Sequence, residues 1–206
     1  PLWQTGPLSM APSQLGGFAY SSPAHATPNL QFHVQPLSLD SFGGDLHPWP
    51  GLTASVCNLR PKSRGHIAIK SSNPRDDPRI KVNWLQHEED RQVAVEAVKL
   101  ARRIMAQPAL APFNPVEHAP GPQAQSDEDI LQAAGNISTT IFHPVGTCKM
   151  GLDDMAVCDG RLRVHGLEGL RIMDASVMPT IVSGNTSSPT QMIAHKGATM
   201  LLEDAA

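Results

Sequence analysis

The sequence predicts an α+β fold, an antiparallel sheet with helices packed on one side. Three observations carry that expectation. Residues 30–35 and 52–58 alternate apolar and polar side chains with the period of half-buried strands. The turn Pro61–Gly65 separates the second of these from another strand-like stretch, HIAIKS, a spacing that suggests an antiparallel pair. From Glu88 the apolar period changes from that of a strand to that of a helix, so strands and helices are segregated along the chain rather than alternating.

Each element has a local reason. Residues 1–28 carry too many Gly, Pro and Ser for a long element and read as a loop-like lead-in in which GGFAYSS makes one short strand. In NLQFHVQPLSL, Leu30, Phe32 and Val34 share one face while Gln31, His33 and Gln35 take the other. SFGGDLHPWPG is a turn, LTASVCNLR alternates again from Leu52, and HIAIKS places Ile67 and Ile69 inward. NPRDDPR is a loop and IKVNWL a further extended piece. Over 88–107, Val93, Ala97, Leu100 and Ile104 mark one helix face, and Pro108 stops the helix before the loop PALAPFNPVEHAPGP. Ser126 caps a second helix, with Asp127, Glu128 and Asp129 in its first turn and an end near Gly135. ISTTIF is extended and delivers the chain to His143. LRVHG and GLRIMDA read as two short strands, and the last helix starts with Ser188 as cap, Pro189 in its first position and Gln191 closing the capping box.

Composition excludes several classes of function. With 40% apolar and 17% charged residues the 206-residue chain has the balance of a globular protein. A formal charge of −3 gives no basic field for nucleic acid, and RPKSR at 60–64 is the only notable cationic cluster. No apolar run approaches the length of about 18 residues or more that a membrane span needs. Cys57, Cys148 and Cys158 form no CxxC pair and read as reduced thiols of a cytoplasmic protein. The start at Pro1 and the loop-like opening suggest a piece of a longer protein.

The residues suited to chemistry gather in the last quarter. Of the nine histidines no two stand at HxxxH spacing, so no metal site is expected. His25, His47 and His118 lie in proline-rich loops and read as solvated. His33, His66, His165 and His195 read as surface or packing residues. His143 differs, because Pro144 restricts its backbone and Gly146 permits a reversal after it, so the ring is held on a turn. Nothing resembles a GxSxG elbow, a GxxxxGK phosphate loop or a GxGxxG fingerprint. Cys148 reads as a small hydrophobe rather than a nucleophile. SGNTSSPT presents backbone amides at a helix N-terminus, a place suited to an anionic or electron-rich group, and Asn185 stands just before it.

Three separated stretches carry a resemblance: RPKSRGHIAIKSSNPRDDPRI, FHPVGTCKMG, and AVCDGRLRVHGLEGLRIMDASVMPTIVSGNTSSPTQMIAHK. They resemble the carboxyl-terminal part of the glucose–methanol–choline (GMC) flavoprotein oxidoreductases, in the branch of choline-dehydrogenase-like and alcohol dehydrogenases. The resemblance implies an FAD-dependent enzyme that oxidises a primary alcohol to an aldehyde. It makes His143 the catalytic base and Asn185 the residue that holds the substrate oxygen. Asp174 and Ala175 become cofactor contacts, and the amides of Thr186 and Ser187 lie by the flavin. It implies that residues 1–155 form the substrate-binding domain and that 156–206 return to an FAD-binding domain whose GxGxxG half the chain lacks. That N-terminal half is then the chain's main partner, beside a small alcohol. The piece alone is expected to be inactive, with FAD bound weakly or not at all. At His195, where relatives usually carry an acid, no function is expected.

The same resemblance leaves other readings open. A hydroxynitrile lyase would use the same base without net redox chemistry, and a non-catalytic binding or assembly domain would use none. The identity of the alcohol, the electron acceptor and any homo-oligomer are equally open, and a quinone acceptor would imply peripheral membrane association. With one Tyr, three Trp and five Phe there are few side chains to cage a quaternary ammonium, which favours a neutral alcohol.

Overall fold

In the computed structural model residues 11, 13–41 and 43–205 are described, so most of the loop-like lead-in lies outside them. The chain packs as two units: residues 1–58 with 88–138, and residues 59–87 with 139–206.

The first unit is the expected sheet with helices on one side. Strands β1 (Leu15–Ala19), β2 (Leu30–Gln35) and β3 (Thr53–Asn58) form an antiparallel sheet in the order β1-β2-β3. The register pairs Phe32 with Val56 and Leu30 with both Asn58 and Ala19, which places the apolar side of β2 over one continuous face. Helix α1 (Glu88–Met105) lies on that face: Leu30, Val93 and Ala97 are buried together, with Ala19, Val56 and Leu100 packed around them. Its acidic first turn and its Arg102 and Arg103 in the last turn match the helix dipole. The carboxylate of the buried Asp90 accepts from Asn58 Nδ2 at 3.2 Å, which ties the helix start to the end of β3.

Helix α2 (Asp127–Ile137) packs on α1 through Val95, Ala124 and Ile130. Ser126 caps it as expected, accepting from the Asp129 amide while the Asp129 carboxylate accepts from the Ser126 amide. The Ser126 hydroxyl on Asp129 holds that carboxyl below its usual range. Between the helices, residues Pro108–Phe113 form a 3₁₀ helix where a plain loop was expected, because Pro108 stands at its start, where no amide is needed. The segment after it is clamped. Arg102 Nε and Nη2 donate to the two carboxylate oxygens of Glu117 at 2.9 and 2.8 Å, and Glu117 accepts from the Gly121 amide at 3.1 Å.

The second unit corrects four expectations. The stretch after Gly65 does not pair with β3. Strand β4 (His66–Ala68) pairs instead with β5 (Arg79–Lys81) in a separate two-stranded sheet, although β3 is, among the described residues, an edge strand with one side free. Ile67 and Ile69 are not inward-facing, being 46% and 90% exposed. LRVHG and GLRIMDA form no strands. They make isolated bridges, Cys158 to Val164 and Arg163 to Arg171, around a core of Cys158, Leu162 and Val177. The positive φ of Leu162, Gly166 and Gly169 breaks the extended runs that a ladder requires. Helix α3 (Ser187–Ala205) closes this unit and begins two residues earlier than expected, at Ser187 rather than Pro189, so Gln191 Nε2 meets the Ser187 hydroxyl at 3.3 Å. Its end is fastened by Arg161 and Arg171 to Asp204, and the nearby Arg171 holds the Asp204 carboxyl below its usual range.

The β4–β5 hairpin depends on Gly65. A methyl group there would stand 2.2 Å from the Lys81 carbonyl oxygen and 2.9 Å from Val82 Cα, and these are backbone atoms that cannot rotate away. Gly65→Ala is therefore expected to destabilise the protein by about 1–3 kcal/mol. The comparison is Gly17→Ala, where the added methyl meets nothing within 4 Å and no loss is expected. Urea denaturation of the two variants beside the unchanged protein checks this, and equal midpoints for all three would refute it.

Candidate active site

His143 is held from both sides in the chain and from both nitrogens of its ring. Phe142, before it, adopts φ 64°, a left-handed conformation that costs a residue with a side chain about 1–2 kcal/mol. The Phe142 amide donates to Thr140 Oγ1 at 3.0 Å, so the kink is stabilised locally. Pro144 follows, and Gly146 turns the chain at φ 87°, close enough to the Met178 carbonyl that a methyl group would stand 3.2 Å from it. The next residues dock on the turn at 174–178: the amides of Cys148 and Met150 donate to the carbonyls of Ser176 and Val177 at 3.0 and 2.9 Å. Residues 138–142 thus reach His143 through a kinked segment and not through the extended stretch the sequence suggested.

The ring nitrogens have named partners. Nε2 lies 2.8 Å from Asn185 Nδ2, and Nδ1 lies 2.8 Å from the hydroxyl of Thr186, a buried residue. Because the Asn185 amide group is the donor, Nε2 accepts, and the ring proton then resides on Nδ1 and is donated to Thr186 Oγ1. This tautomer leaves the basic lone pair on Nε2, beside an amide that can hold an oxygen atom. The first bond of α3, from the Thr190 amide to the Thr186 carbonyl at 3.0 Å, fixes Asn185 and Thr186 at the helix entry. Two adjacent residues, 42 and 43 positions after His143, thus face its imidazole through a rigid turn and a helix start.

The other predicted site residues take definite places. The Asp174 carboxylate caps the 3₁₀ turn Ala175–Val177, accepting from the Ser176 amide at 2.8 Å and its hydroxyl at 2.5 Å. Ala175 opens that turn and Ser187 opens α3. The start of α3 leaves its first amides without carbonyl partners inside the helix, so this end suits an electron-rich ring system of the kind a flavin presents.

The hydroxyl of Thr186 went unforeseen, since only its backbone amide was singled out. His118 is exposed as expected, with 52% of its side chain accessible, whereas His47 is not. His47 stacks on Trp49 with ring centroids 4.5 Å apart, and its side chain is only 9% exposed. Asp40, His47 and His118 converge on one point, although the sequence spacing predicted no metal-ligand group. No spacing rule detects three ligands spread over loops up to 78 residues apart.

The fold and this histidine–asparagine pair place the chain in a known class. It belongs to the GMC oxidoreductase family, whose sequence profile matches residues 61–194. It is 44% identical over 188 residues to the oxygen-dependent choline dehydrogenase of Escherichia coli O17:K52:H18 (strain UMN026 / ExPEC), covering 91% of this chain and 34% of that protein. It is 43% identical over 197 residues to the alcohol dehydrogenase [acceptor] of Pseudomonas putida, covering 96% of this chain and 36% of that protein. Among solved structures, pyridoxine 4-oxidase from Mesorbium loti superposes with a TM-score of 0.84 at 25% identity, over 93% of this chain and 38% of that one. A fungal aryl-alcohol oxidase gives 0.72 at 25% identity, over 86% and 28%. The chain therefore spans about a third of the length of the curated relatives it matches. No helix among the described residues is long and apolar enough to cross a membrane.

Proposed function

We propose that this chain is the substrate-binding part of an FAD-dependent oxidoreductase that converts a primary alcohol to an aldehyde. The observation that carries the reading is the two-sided hold on the His143 ring, Nδ1 on Thr186 and Nε2 on Asn185. In this reading the Nε2 lone pair takes the hydroxyl proton of the alcohol. The Asn185 amide donates to the same oxygen and holds it as negative charge develops there. Thr186, accepting from Nδ1, keeps the ring in the tautomer that carries its basic lone pair on Nε2. FAD, when bound, supplies the acceptor for the hydride that leaves the alcohol carbon. Asp174, Ala175 and the amides of Thr186 and Ser187 are the residues of this chain that would hold it.

Residues 1–155 are read as the substrate-binding domain, and 156–206 as the segment that joins an FAD-binding domain supplied by the rest of a cytoplasmic protein. The surface of α3 supports this division. Met192, Leu201 and Leu202 are 60%, 51% and 72% exposed, on a helix that also buries Ile193 against Met173 and Val177 in its own unit. A helix apolar on several faces is a buried helix in its complete setting. By the same token the isolated chain is read as inactive.

The test is the visible spectrum of the intact protein under anaerobic conditions, before and after addition of primary alcohols, choline included. A flavin spectrum that bleaches with one of them supports the reading and begins to name the alcohol. A flavin that stays oxidised with every alcohol while the protein cleaves a cyanohydrin would replace the reading by that of a lyase. A folded protein without flavin would leave a binding or assembly role.

A further inference from the structure

The second cluster of reactive side chains lies in the first packing unit, where two imidazoles and a carboxylate converge. Asp40 Oδ1 stands 3.2 Å from His47 Nε2 and 3.4 Å from His118 Nε2. We propose that Asp40, His47 and His118 bind a divalent transition-metal ion of the zinc, nickel and cobalt class. Two imidazole nitrogens and one carboxylate oxygen are the donor set that suits these ions. Zinc bound to such donors at about 2.0–2.2 Å in tetrahedral geometry separates them by roughly 3.4 Å, close to the two separations from Asp40, and all three ligand atoms lie within 4.8 Å of one another.

The outer shell of the cluster is built as metal sites are built. The Ser38 hydroxyl lies 2.8 Å from His47 Nδ1, so the ring can donate its Nδ1 proton there and turn the Nε2 lone pair toward Asp40.

The ligands are also held before any ion arrives. The His47 amide donates to the Ser38 carbonyl at 2.9 Å, closing the loop on itself. Gly51 lets the chain pass Ser38, where a methyl group would stand 2.7 Å from Ser38 Cβ. The His47 ring is stacked on Trp49 and meets the edge of His118 at 4.7 Å between centroids. His118 follows Glu117, which the bidentate pair with Arg102 fixes in place. An ion there would tie the 38–49 loop to the segment between α1 and α2, with a position left open for water or a further ligand.

The intact protein, stripped with a chelator, provides the test. Equilibrium dialysis against Zn²⁺ is expected to show one equivalent that His118→Gln and Asp40→Asn lose. Ser38→Ala is expected to keep the site with affinity lowered about 10–100-fold. The side chains of Asp40 and His118 are 82% and 52% exposed, so neither substitution disturbs a core. Ni²⁺ is expected to quench Trp49 emission saturably in the unchanged protein, a signal that Trp49→Phe removes. Equal Zn²⁺ uptake by the unchanged protein and both ligand variants would overturn the proposal, leaving a proton as the species the three groups share. Absence of saturable quenching by Ni²⁺ in the unchanged protein would overturn it without recourse to any variant.

Discussion

Replacing His143 by alanine in the intact protein is expected to slow the reduction of its flavin by an alcohol about 10²–10⁴-fold, the usual contribution of a positioned base. The flavin spectrum itself is expected to stay as it was, because the ring touches Asn185 and Thr186 through its two nitrogens and its loss removes no buried packing from either core. The pH dependence gives a second readout. Only the neutral imidazole accepts a proton, so the rate in the unchanged protein rises with pH as the ring is deprotonated and then levels off. In the alanine variant that rise disappears, and added imidazole restores part of the rate with the same pH trend. Stopped-flow measurement of flavin reduction across pH makes the comparison. A variant that reduces its flavin within tenfold of the unchanged protein would show that His143 is not the base.

The sequence made the outline of this site legible and hid its second partner. His143 stood out because Pro144 and Gly146 constrain the backbone on its far side, and such constraints are written in residue type. Asn185 stood out because it precedes a run of helix-starting residues. What placed them 2.8 Å apart is the docking of the 146–150 segment on the 174–178 turn, made of backbone hydrogen bonds that any residues could form. Thr186 is expected from the sequence only through its backbone amide, and the bond of its hydroxyl to His143 Nδ1 depends on the same docking. In the fold, α1 and the strands β2 and β3 followed from periodicity and α2 from its Ser126 cap, whereas the pairing of β1, β2 and β3 did not. The β3–β4 hairpin did not form, because a five-residue turn permits a pairing without dictating it, and β4 pairs with β5 instead. The bridges around Cys158 were misread as strands, since apolar alternation in short runs does not reveal the positive φ at Leu162 and Gly166 that interrupts them.

Asn185 separates a base that merely sits near the substrate from a site that also holds the developing charge. Its amide nitrogen lies 2.8 Å from His143 Nε2 in the free chain, so the donor that an alkoxide would need already points at the atom that creates it. Asn185→Ala is expected to lower the rate of flavin reduction about 10²–10³-fold, the cost of losing one preorganised donor to an oxyanion. Asn185→Asp tests the same geometry by sign. A carboxylate beside Nε2 favours the protonated imidazole, so the rising limb of rate against pH moves to higher pH in this variant. It also repels an alkoxide, so even the high-pH rate stays below that of the unchanged protein. The alanine variant carries no new charge and is expected to keep the original limb at a lower plateau. If alanine and aspartate instead gave the same profile at the same reduced height, Asn185 would be acting on the packing of the α3 entry and not on the reacting oxygen.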